Sequence, residues 1–216
     1  MQVEIWSDVI CPWCYIGKRR FEAALADFSH KQDVQVVWRS FELDHKSPSQ
    51  YSETLIEMLS RKYHVSLQEA ENMNTRVSSL AKQAGLEYRL SEARPGNTFD
   101  AHRLLHLAAS RHVGDQAMER IMHAYFCESL PVGDRTALAR LATEFCISTK
   151  EALEMLESDA YVDAVRADEA RAVAFGISGV PFFVIDGKIG ISGAQPVEVF
   201  ADALKDNHPA SHQPRR

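Results

Sequence analysis

The amino-acid sequence predicts an α/β protein in which a large all-helical segment is inserted after the second strand of a β-sheet domain. Three observations support this prediction. The first 40 residues alternate strand, helix and strand patterns, and residues 49–158 show only helical periodicity. Strand patterns then return as two short runs followed by a helix. We therefore expect the two ends of the chain, in the order β-α-β and α-β-β-α, to form one sheet domain.

The N-terminal unit begins with a strand over residues 3–7, and a helix follows at once. Cys11 takes the N-cap position and Pro12 the first helical position, which proline favours. One apolar stripe is expected along this helix at Cys14, Phe21, Leu25 and Phe28. A second strand over residues 34–38 completes the unit, which predicts that the two strands pair in parallel.

The inserted segment is divided into helices by capping signals. The side chains expected to begin helices are those of Ser66, Asn97, Asp115, Asp134 and Ser148. Ser66 and Ser148 each precede a glutamate by three positions, as in a capping box, and Gly85 ends the helix that Ser66 begins. The side chains expected to face the core are Met73, Val77, Leu80, Ala84, Met118, Ile121, Tyr125, Leu138, Leu141 and Phe145.

The C-terminal part begins with a helix from about residue 159 to residue 176. Its buried face is expected to hold Val162, Val165 and Val173. Residues 182–185 and 188–191 then form a hairpin, because Asp186-Gly187 accepts the positive φ angles of a two-residue turn. A short helix over residues 196–205 closes the fold.

This layout predicts a domain organisation in three parts. Residues 1–45 and 159–206 form the sheet domain, and residues 46–158 form the helical domain inserted into it. Residues 207–216, with two prolines and two histidines, are expected to be a flexible tail.

Composition and charge exclude several classes of protein. The chain has 216 residues, of which 45% are hydrophobic and 25% charged, as in an ordinary globular protein. Its net charge of −6 does not favour nucleic-acid binding. The apolar run at residues 180–185 is far shorter than the roughly 20 residues that a membrane span needs. The first residues carry no secretory leader, so we expect a cytoplasmic protein.

The strongest chemical signal is Cys11-Pro12-Trp13-Cys14 at the junction between the first strand and the first helix. Unpaired N–H groups and the helix dipole at this end favour a thiolate over a thiol. Cys11 is therefore the predicted nucleophile, and Cys14, one turn deeper, can close a disulfide with it. Pro12 and Trp13 between them are expected to tune the redox properties of the pair.

Other uses of the cysteines are less favoured. A structural zinc site needs four ligands, and the sequence has no second CxxC, although His102 and His106 remain remote candidates. We therefore predict no metal site. A buried structural pair is disfavoured because structural thiols are not normally placed at an exposed helix start. Cys127 and Cys146 lie on separate predicted helices, and a second redox pair between them is left open.

A second signal is Gly179-Val180-Pro181, which leads directly into a strand. Proline cannot donate to a sheet, so it belongs at the first residue of a strand or at an edge. If the Val180–Pro181 bond were cis, the Val180 backbone would face Cys11 and could pair with an extended substrate. The dipeptide alone does not predict a cis bond, because most X–Pro bonds are trans.

Three segments together resemble a known family. They are SDVICPWCYIG at residues 7–17, NTFDAHR at residues 97–103, and GVP at residues 179–181. They are similar to the DsbA family of thioredoxin-fold proteins, and most similar to its FrnE-like branch of dithiol-disulfide oxidoreductases. The resemblance covers residues 3 to about 205. It implies a thioredoxin domain with an inserted helical domain, an attacking Cys11, a resolving Cys14 and a cis-Pro181 facing them.

Trp13 departs from one part of the family pattern. The strongly oxidising periplasmic members carry histidine at this position, where it stabilises the thiolate. The resemblance therefore implies a less oxidising protein, with a reduction potential between roughly −120 and −270 mV. A reductase or isomerase role in a reducing compartment fits this expectation better than a disulfide-donor role.

The resemblance also points to residues outside the two motifs. Glu4 lies where related proteins place a buried acid that relays protons to the resolving thiol, although it is equally readily an ordinary edge carboxylate. Asp8 is close to Cys11 in sequence, and its charge would oppose the thiolate and moderate its reactivity.

A further group of residues is assigned to interdomain or ligand contacts. Asn97, His102 and Arg103 match an interdomain motif of the family, although helix capping alone explains Asn97. Gly193 and Gln195 follow the last strand and are expected to border the substrate groove.

The leading hypothesis is a thiol-disulfide oxidoreductase that works through a mixed disulfide on Cys11. No cofactor is expected apart from the redox-active disulfide, with glutathione as a candidate co-substrate. The expected partners are protein or peptide thiols and disulfides and a thioredoxin-like reductant, and neither nucleic acid nor a membrane. Two alternatives stay open: a glutathione-dependent transferase or 2-hydroxychromene-2-carboxylate isomerase-like enzyme, and a redox-independent peptide-binding chaperone.

Overall fold

The computed structural model describes residues 1–208 and contains strands and helices in the predicted order. The strands are β1 (Gln2–Ser7), β2 (Gln35–Ser40), β3 (Phe182–Ile185) and β4 (Ile189–Ser192). The helices at the two ends of the chain are α1 (Pro12–Ala26), α8 (Val162–Ala174) and α9 (Val197–Asn207). The helices between them are α2 (Leu55–Tyr63), α3 (Leu67–Gln83), α4 (Phe99–Ser110), α5 (Gly114–Glu128), α6 (Arg135–Leu141) and α7 (Thr149–Glu157).

The four strands form one sheet in the order β2-β1-β3-β4. β1 pairs in parallel with β2 and antiparallel with β3, and β3 pairs antiparallel with β4. The parallel pair confirms the predicted β-α-β unit, and the last two strands complete its sheet as expected. β1 is therefore an internal strand with a neighbour on each side.

Helices cover both faces of the sheet. α1 and α9 lie on one face, where Val3 and Ile5 of β1 share a core with Phe21. α8 lies on the other face, where Trp6 packs with Ala172. Successive side chains of a strand point to opposite faces, so β1 serves both cores. A short connection joins the end of β1 to the start of α1.

The inserted helices pack against the first half of α1. One large cluster joins Cys14 and Ile16 of α1 to side chains of the insertion such as Val77, Leu104 and Ile121. The predicted domain boundaries fall between β2 and α2 and between α7 and α8. The division into two domains stays a prediction, and one core runs across it.

Two predicted core residues are wrong. Met73 of α3 is 42% exposed and Val173 of α8 is 77% exposed. The residues that α8 buries are Val165, Asp168 and Ala172. Val173 is rotated by about 100° from Ala172, which places it in solvent. The inward position between Val165 and Ala172 is the polar Asp168, so the apolar pattern could not reveal the buried face.

The capping predictions are confirmed at two helices. Ser66 and Glu69 form both hydrogen bonds of a capping box at the start of α3. Asp134 accepts hydrogen bonds from the backbone amides of Thr136 and Ala137 at the start of α6. At α7, Ser148 accepts from the amide of Glu151, which is the first of the two bonds of the predicted box.

Two other helices begin elsewhere than predicted. α4 begins after Thr98, although the Asn97 side chain still accepts a hydrogen bond from the Phe99 amide at 2.9 Å. α5 begins at Gly114 rather than being capped by Asp115. The Asp115 carboxylate instead accepts a hydrogen bond from the Trp38 indole at 3.0 Å. The side chain that the local pattern predicts as a helix cap therefore makes a tertiary contact.

The predicted hairpin is present with one extra residue in its turn. Asp186 and Gly187 both have positive φ, at 47° and 68°, as expected. Ile185 pairs with Ile189, so three residues separate the strands and β4 begins one residue later than predicted.

The predicted tail begins too early. Asn207 is the last residue of α9, and His208 is only 6% exposed. The His208 ring packs against the edge of Phe28 and stacks on His30, which holds it on the protein. Residues 209–216 of the predicted tail lie outside the described part of the chain.

Candidate active site

Cys11 lies at the N-cap of α1, as the sequence predicts, with extended backbone angles of φ −82° and ψ 113°. A tight turn brings it there, because its amide donates to the Asp8 carbonyl at 3.1 Å. The Cys11 carbonyl in turn accepts from the Cys14 amide at 3.0 Å, and Pro12 begins the helix. Both thiols are unpaired in the structure.

The segment after α8 faces Cys11. The Val180–Pro181 peptide bond is cis, as the resemblance implies. The Cys11 thiol donates to the Val180 carbonyl with a sulfur–oxygen distance of 3.6 Å. Pro181 lies so close to α1 that its Cγ would be 3.0 Å from a Cβ on Gly17. The predicted meeting of Cys11 and the Val180-Pro181 backbone is thus present.

The sequence analysis treats the start of α1 as an exposed position for Cys11, and this prediction is wrong. Cys11 is 3% exposed, because the Val180 carbonyl and the core shared with the insertion cover it. Its neighbours keep exposed surface, and Trp13 is 42% exposed. A substrate that reaches the sulfur must therefore approach at the surface formed by Pro12, Trp13 and Val180.

Cys14 has the properties of a thiol that stays protonated. It is 1% exposed. Its burial, together with the adjacent Cys11 sulfur, raises the pKa of Cys14 well above the ordinary value of a thiol. The Ser7 hydroxyl and the Asp8 backbone act in the opposite direction and do not cancel this effect. Cys11 and Cys14 are thereby distinguished by their surroundings.

Tyr88 contacts the motif from the insertion, and the sequence analysis did not identify it. Its hydroxyl donates to the Pro12 carbonyl at 2.8 Å. Its ring stacks on Phe126 of α5 with a centroid distance of 4.5 Å. Burial raises the pKa of Tyr88, so it remains a neutral hydrogen-bond donor. No local pattern marks this residue, because it lies between α3 and α4 and reaches Pro12 only in the folded chain.

Glu119 of α5 accepts hydrogen bonds from three side chains of α1, and the sequence analysis did not predict this cluster. The Tyr15 hydroxyl donates to Glu119 at 2.6 Å and the Lys18 ammonium at 2.8 Å, with Arg19 completing the set. Burial alone would raise the pKa of Glu119, but the hydrogen bonds from Arg19, Lys18 and Tyr15 hold it at about 2. The cluster fixes α1, and with it the cysteine motif, against the insertion.

Asp8 and His102 meet beneath the motif. Both are fully buried, and the His102 Nε2 lies 3.5 Å from the Asp8 Oδ1 without forming a hydrogen bond. The other Asp8 oxygen accepts from the Leu43 amide at 2.8 Å. Asp8 is therefore turned into the protein rather than toward the Cys11 thiol. His102 makes the interdomain contact that the resemblance implies, since α4 belongs to the insertion.

Glu4 is neither an edge carboxylate nor placed to serve Cys14. It is 1% exposed on the internal strand β1. Its carboxylate accepts hydrogen bonds from Arg39 at 2.8 Å and from Arg171 of α8 at 2.7 Å. Burial raises the pKa of Glu4, but the two arginines outweigh this and leave it below its usual value. Because α8 and α1 cover opposite faces of the sheet, Glu4 points away from the helix that carries Cys14, which argues against a proton relay.

Arg103 has a structural position. It is 2% exposed and donates to the backbone carbonyls of Met155 and Leu156 in the last turn of α7, and of Ser158 and Ala160 just after it. It thus joins the end of the insertion to the turn before α8. None of its described contacts is with the cysteine motif.

Gly193 is connected to the cis-proline segment, whereas Gln195 is not. The Gly193 amide donates to the Pro181 carbonyl at 2.8 Å. The Gln195 side chain donates to the Ser192 carbonyl at 2.7 Å and caps its own turn. Gly193 therefore contacts the cis-proline segment, and Gln195 has no described contact with Pro181.

The other two cysteines have different surroundings. Cys127 of α5 is half-buried, and Cys146 is exposed after α6. Both are free thiols in the structure. Burial raises the pKa of Cys127, which disfavours its thiolate.

Comparison with known proteins agrees with this geometry. The DSBA-like thioredoxin domain matches residues 2–205. A crystal structure of a probable DsbA oxidoreductase from Streptomyces coelicolor is 42% identical, with a TM-score of 0.93, over 100% of this chain and 93% of the other. An uncharacterized protein, YwbO of Bacillus subtilis, is 29% identical over 95% of this chain and 96% of its own length.

More distant structures share the fold. The cytosolic disulfide reductase DsbM of Pseudomonas aeruginosa has a TM-score of 0.64 at 17% identity, over 95% of this chain and 98% of its own. The same reductase has also been solved with GSH. A 2-hydroxychromene-2-carboxylate isomerase has a TM-score of 0.70 at 12% identity, over 95% of each chain.

No helix within residues 1–208 combines the length and the apolar character needed to cross a membrane. The matched domain spans nearly the whole chain. The observed sheet, insertion and cis-proline segment agree with this match. The chain belongs to the family of DSBA-like thioredoxin domains.

Proposed function

We propose that this protein is a dithiol-disulfide oxidoreductase in which Cys11 attacks and Cys14 resolves. The observation that carries the proposal is the arrangement of three groups. Cys11 caps α1, its thiol faces the Val180 carbonyl at 3.6 Å, and Cys14 lies buried one turn further along the helix. In this arrangement Cys11 is favoured as the attacking nucleophile, and Cys14 reacts only afterwards, as the resolving thiol.

In the reductive direction, the two cysteines would act one after the other. The Cys11 thiolate attacks one sulfur of a substrate disulfide, so that the Cys11–substrate bond forms and the other substrate sulfur leaves as a thiolate. Cys14 then loses its proton to solvent and attacks the Cys11 sulfur. The Cys11–Cys14 disulfide forms, the second substrate sulfur leaves, and two electrons have passed from the protein dithiol to the substrate. The reverse sequence oxidises a substrate dithiol.

The Val180 backbone supplies the substrate-binding element. An extended peptide or glutathione can pair with a backbone that ends at the active site, as in strand addition. When a substrate displaces the Cys11 thiol from the Val180 carbonyl, that carbonyl becomes available to a substrate N–H. Proteins, peptides and glutathione are thus the proposed partners, and a thioredoxin-like protein or glutathione returns the electrons.

We propose the reductase or isomerase direction, in a reducing compartment such as the cytoplasm. Trp13 offers an aromatic ring and one N–H, and no cation that would stabilise the Cys11 thiolate. The fold similarity to a reductase described as cytosolic supports the same direction. The reduction potential is proposed to lie between roughly −120 and −270 mV.

The direct test is a reduction assay with insulin or a disulfide peptide. The reduced protein is expected to catalyse the reaction, and Cys11→Ser is expected to fall to background. The Cys127→Ser and Cys146→Ser variants serve as matched controls and are expected to keep full activity. Equal activity in the native protein and Cys11→Ser would reject the proposal.

A glutathione-dependent transferase or isomerase is the second candidate. The similarity to a 2-hydroxychromene-2-carboxylate isomerase and to a reductase solved with GSH favours it. Two cysteines at the start of α1 count against it, because they provide disulfide exchange directly. Calorimetric titration of glutathione into the Cys11→Ser/Cys14→Ser double variant separates the two. Saturable binding without either thiol, with glutathione-dependent isomerase or transferase turnover in the same variant, supports the second candidate, and loss of that turnover supports the first.

A further inference from the structure

A cluster of three metal-ligating side chains lies far from the cysteines. His30 and Asp33 come from the segment between α1 and β2, and His208 follows the last residue of α9. The side-chain atoms that can bind a metal all lie within 4.8 Å of one another. α1 is 15 residues long, so the cluster is separated from Cys11 by the length of that helix, about 22 Å.

The separations match the requirements of a small transition-metal ion. One oxygen of Asp33, Oδ2, lies 3.7 Å from the His30 Nδ1 and 3.6 Å from the His208 Nε2. Ligands at about 2.0–2.1 Å from a tetrahedral ion are separated by about 3.3–3.4 Å. The two contacts with Asp33 need to shorten by a few tenths of an ångström, and the stacked His30 and His208 rings must rotate so that the plane of each ring contains the ion.

The surroundings keep the three side chains close together. The rings of His30 and His208 stack at 4.3 Å, and each forms a T-shaped pair with the Phe28 ring. The His208 side chain is only 8% exposed, so packing keeps it beside His30. The Asp33 amide donates to the His30 carbonyl, and the Asp33 carbonyl accepts from the Met1 amino group.

We propose that His30, Asp33 and His208 bind one divalent transition-metal ion of the zinc type. Two imidazoles and one carboxylate suit Zn²⁺ and its neighbours, whereas Mg²⁺ and Ca²⁺ prefer oxygen ligands alone. The Asp33 side chain is 63% exposed and that of His30 is 45% exposed, which leaves room for water as a fourth ligand. The ion ties the end of α9 to the segment before β2, and it stabilises the folded chain because an unfolded chain lacks the site.

The test is a Zn²⁺ titration by calorimetry. It uses the full chain as the Cys11→Ser/Cys14→Ser variant, treated first with a chelator, so that metal binding by the redox thiols is removed. One saturable site is expected in this background. Adding His30→Ala or Asp33→Asn is expected to weaken binding by about tenfold or more. His45→Ala, which removes an exposed histidine elsewhere, is the matched control and is expected to bind as the background does.

Two further measurements distinguish this site from other sites. Co²⁺ in place of Zn²⁺ is expected to give visible bands of a nitrogen and oxygen ligand set, without charge-transfer bands from sulfur. Zn²⁺ at about one hundred times its Kd is expected to raise the thermal midpoint by roughly 5–10 °C, and by little in Asp33→Asn. Absence of saturable binding, retention of binding in His30→Ala or in Asp33→Asn, or sulfur bands with Co²⁺ would overturn the proposal. None of these outcomes depends on disulfide exchange at Cys11.

Discussion

At the scale of single residues, the difference between the two thiols of the motif decides the chemistry. Cys11 caps a helix and contacts the Val180 carbonyl, whereas Cys14 is enclosed by the core. A nucleophile must form a thiolate before it reacts, and a resolving thiol must wait until the mixed disulfide exists. The N-cap position of Cys11 and its contact with Val180, against the raised pKa of Cys14, separate these two tasks within one helical turn.

The raised pKa of Cys14 predicts a pH dependence. A thiol with a raised pKa stays protonated to higher pH, and only its thiolate attacks. The rate of mixed-disulfide resolution should therefore rise steadily as pH increases across neutrality, without reaching a plateau at the pKa of an ordinary thiol, about 8.5. Single-turnover measurements with a peptide disulfide check this. A resolution rate that is independent of pH would contradict the placement of Cys14.

Trp13 predicts a change in reduction potential. In Trp13→His, an imidazolium beside Cys11 would stabilise the thiolate and with it the reduced protein. The potential should therefore become less negative by roughly 30–60 mV, measured by equilibration with glutathione redox buffers. Trp13→Phe is the control, since it keeps an aromatic ring without adding a charge, and we expect a much smaller shift. A more negative potential in Trp13→His would show that position 13 acts in another way.

At the scale of structural elements, α1 is positioned by contacts with its neighbours on two sides. Gly17 allows the Pro181 ring to pack directly on the helix, and Glu119 binds three side chains on another side. Both contacts lie within two turns of Cys14. Small shifts of α1 should therefore change the geometry between Cys11 and Val180.

Gly17→Ala tests the first of these contacts. Alanine favours a helix over glycine by up to about 1 kcal/mol, but its Cβ would lie 3.0 Å from the Pro181 Cγ. We expect turnover to fall by roughly tenfold, because the cis-proline segment must move away from Cys11. Gly179→Ala is the control from the same segment, since a Cβ there meets nothing within 4 Å. An equal loss in both variants, or none in Gly17→Ala, would contradict this role.

Glu119 predicts a dependence of stability on pH. Its pKa is about 2 in the folded protein and 4.5 as the reference value, so its contribution is complete above pH 4.5 and is lost as pH falls toward 2. Glu119→Gln should lower the free energy of unfolding by roughly 2–3 kcal/mol at neutral pH. The difference from the native protein should shrink on acidification in urea titrations. Glu154→Gln, at a side chain 66% exposed, should show no such change.

At the scale of the whole molecule, the insertion and the sheet domain share a core. The largest cluster of buried side chains contains Cys11, Cys14 and Tyr15 together with residues of the inserted helices. The Asp8–His102 contact and the Tyr88–Pro12 hydrogen bond cross the same boundary. The active-site motif therefore belongs to both parts of the chain.

This shared core predicts cooperative unfolding. All three tryptophans lie in the sheet domain or beside the motif, at Trp6, Trp13 and Trp38, whereas most helices lie in the insertion. Tryptophan fluorescence and far-ultraviolet circular dichroism should therefore give one coincident transition in urea. Two separate transitions would show that the insertion at residues 46–158 is an independent domain.

Much of the fold and the centre of the site could be predicted from the sequence, for local reasons. Cys11 and Pro12 occupy positions that helix starts favour, and Asp186-Gly187 matches its turn. The facing Pro181 was implied by resemblance, because the dipeptide alone leaves the peptide bond open.

What the sequence could not reveal depends on contacts between distant segments. Tyr88, Glu119 and the arginines on Glu4 act on residues that are far away along the chain. The burial of Cys11 has the same origin, since the Val180 carbonyl and the inserted helices cover it. Periodicity indicates which face of a helix is buried. It does not indicate which polar side chain from another segment will contact that face.

Trapping the mixed disulfide tests the division of roles between the two cysteines most directly. In Cys14→Ser, a disulfide peptide should leave a stable adduct on Cys11, identified by mass spectrometry of proteolytic fragments. Cys11→Ser should give no adduct at the motif, because the raised pKa of Cys14 keeps that thiol protonated and it does not initiate attack. An adduct on Cys127 or Cys146 in place of Cys11, or no adduct in Cys14→Ser, would contradict the account.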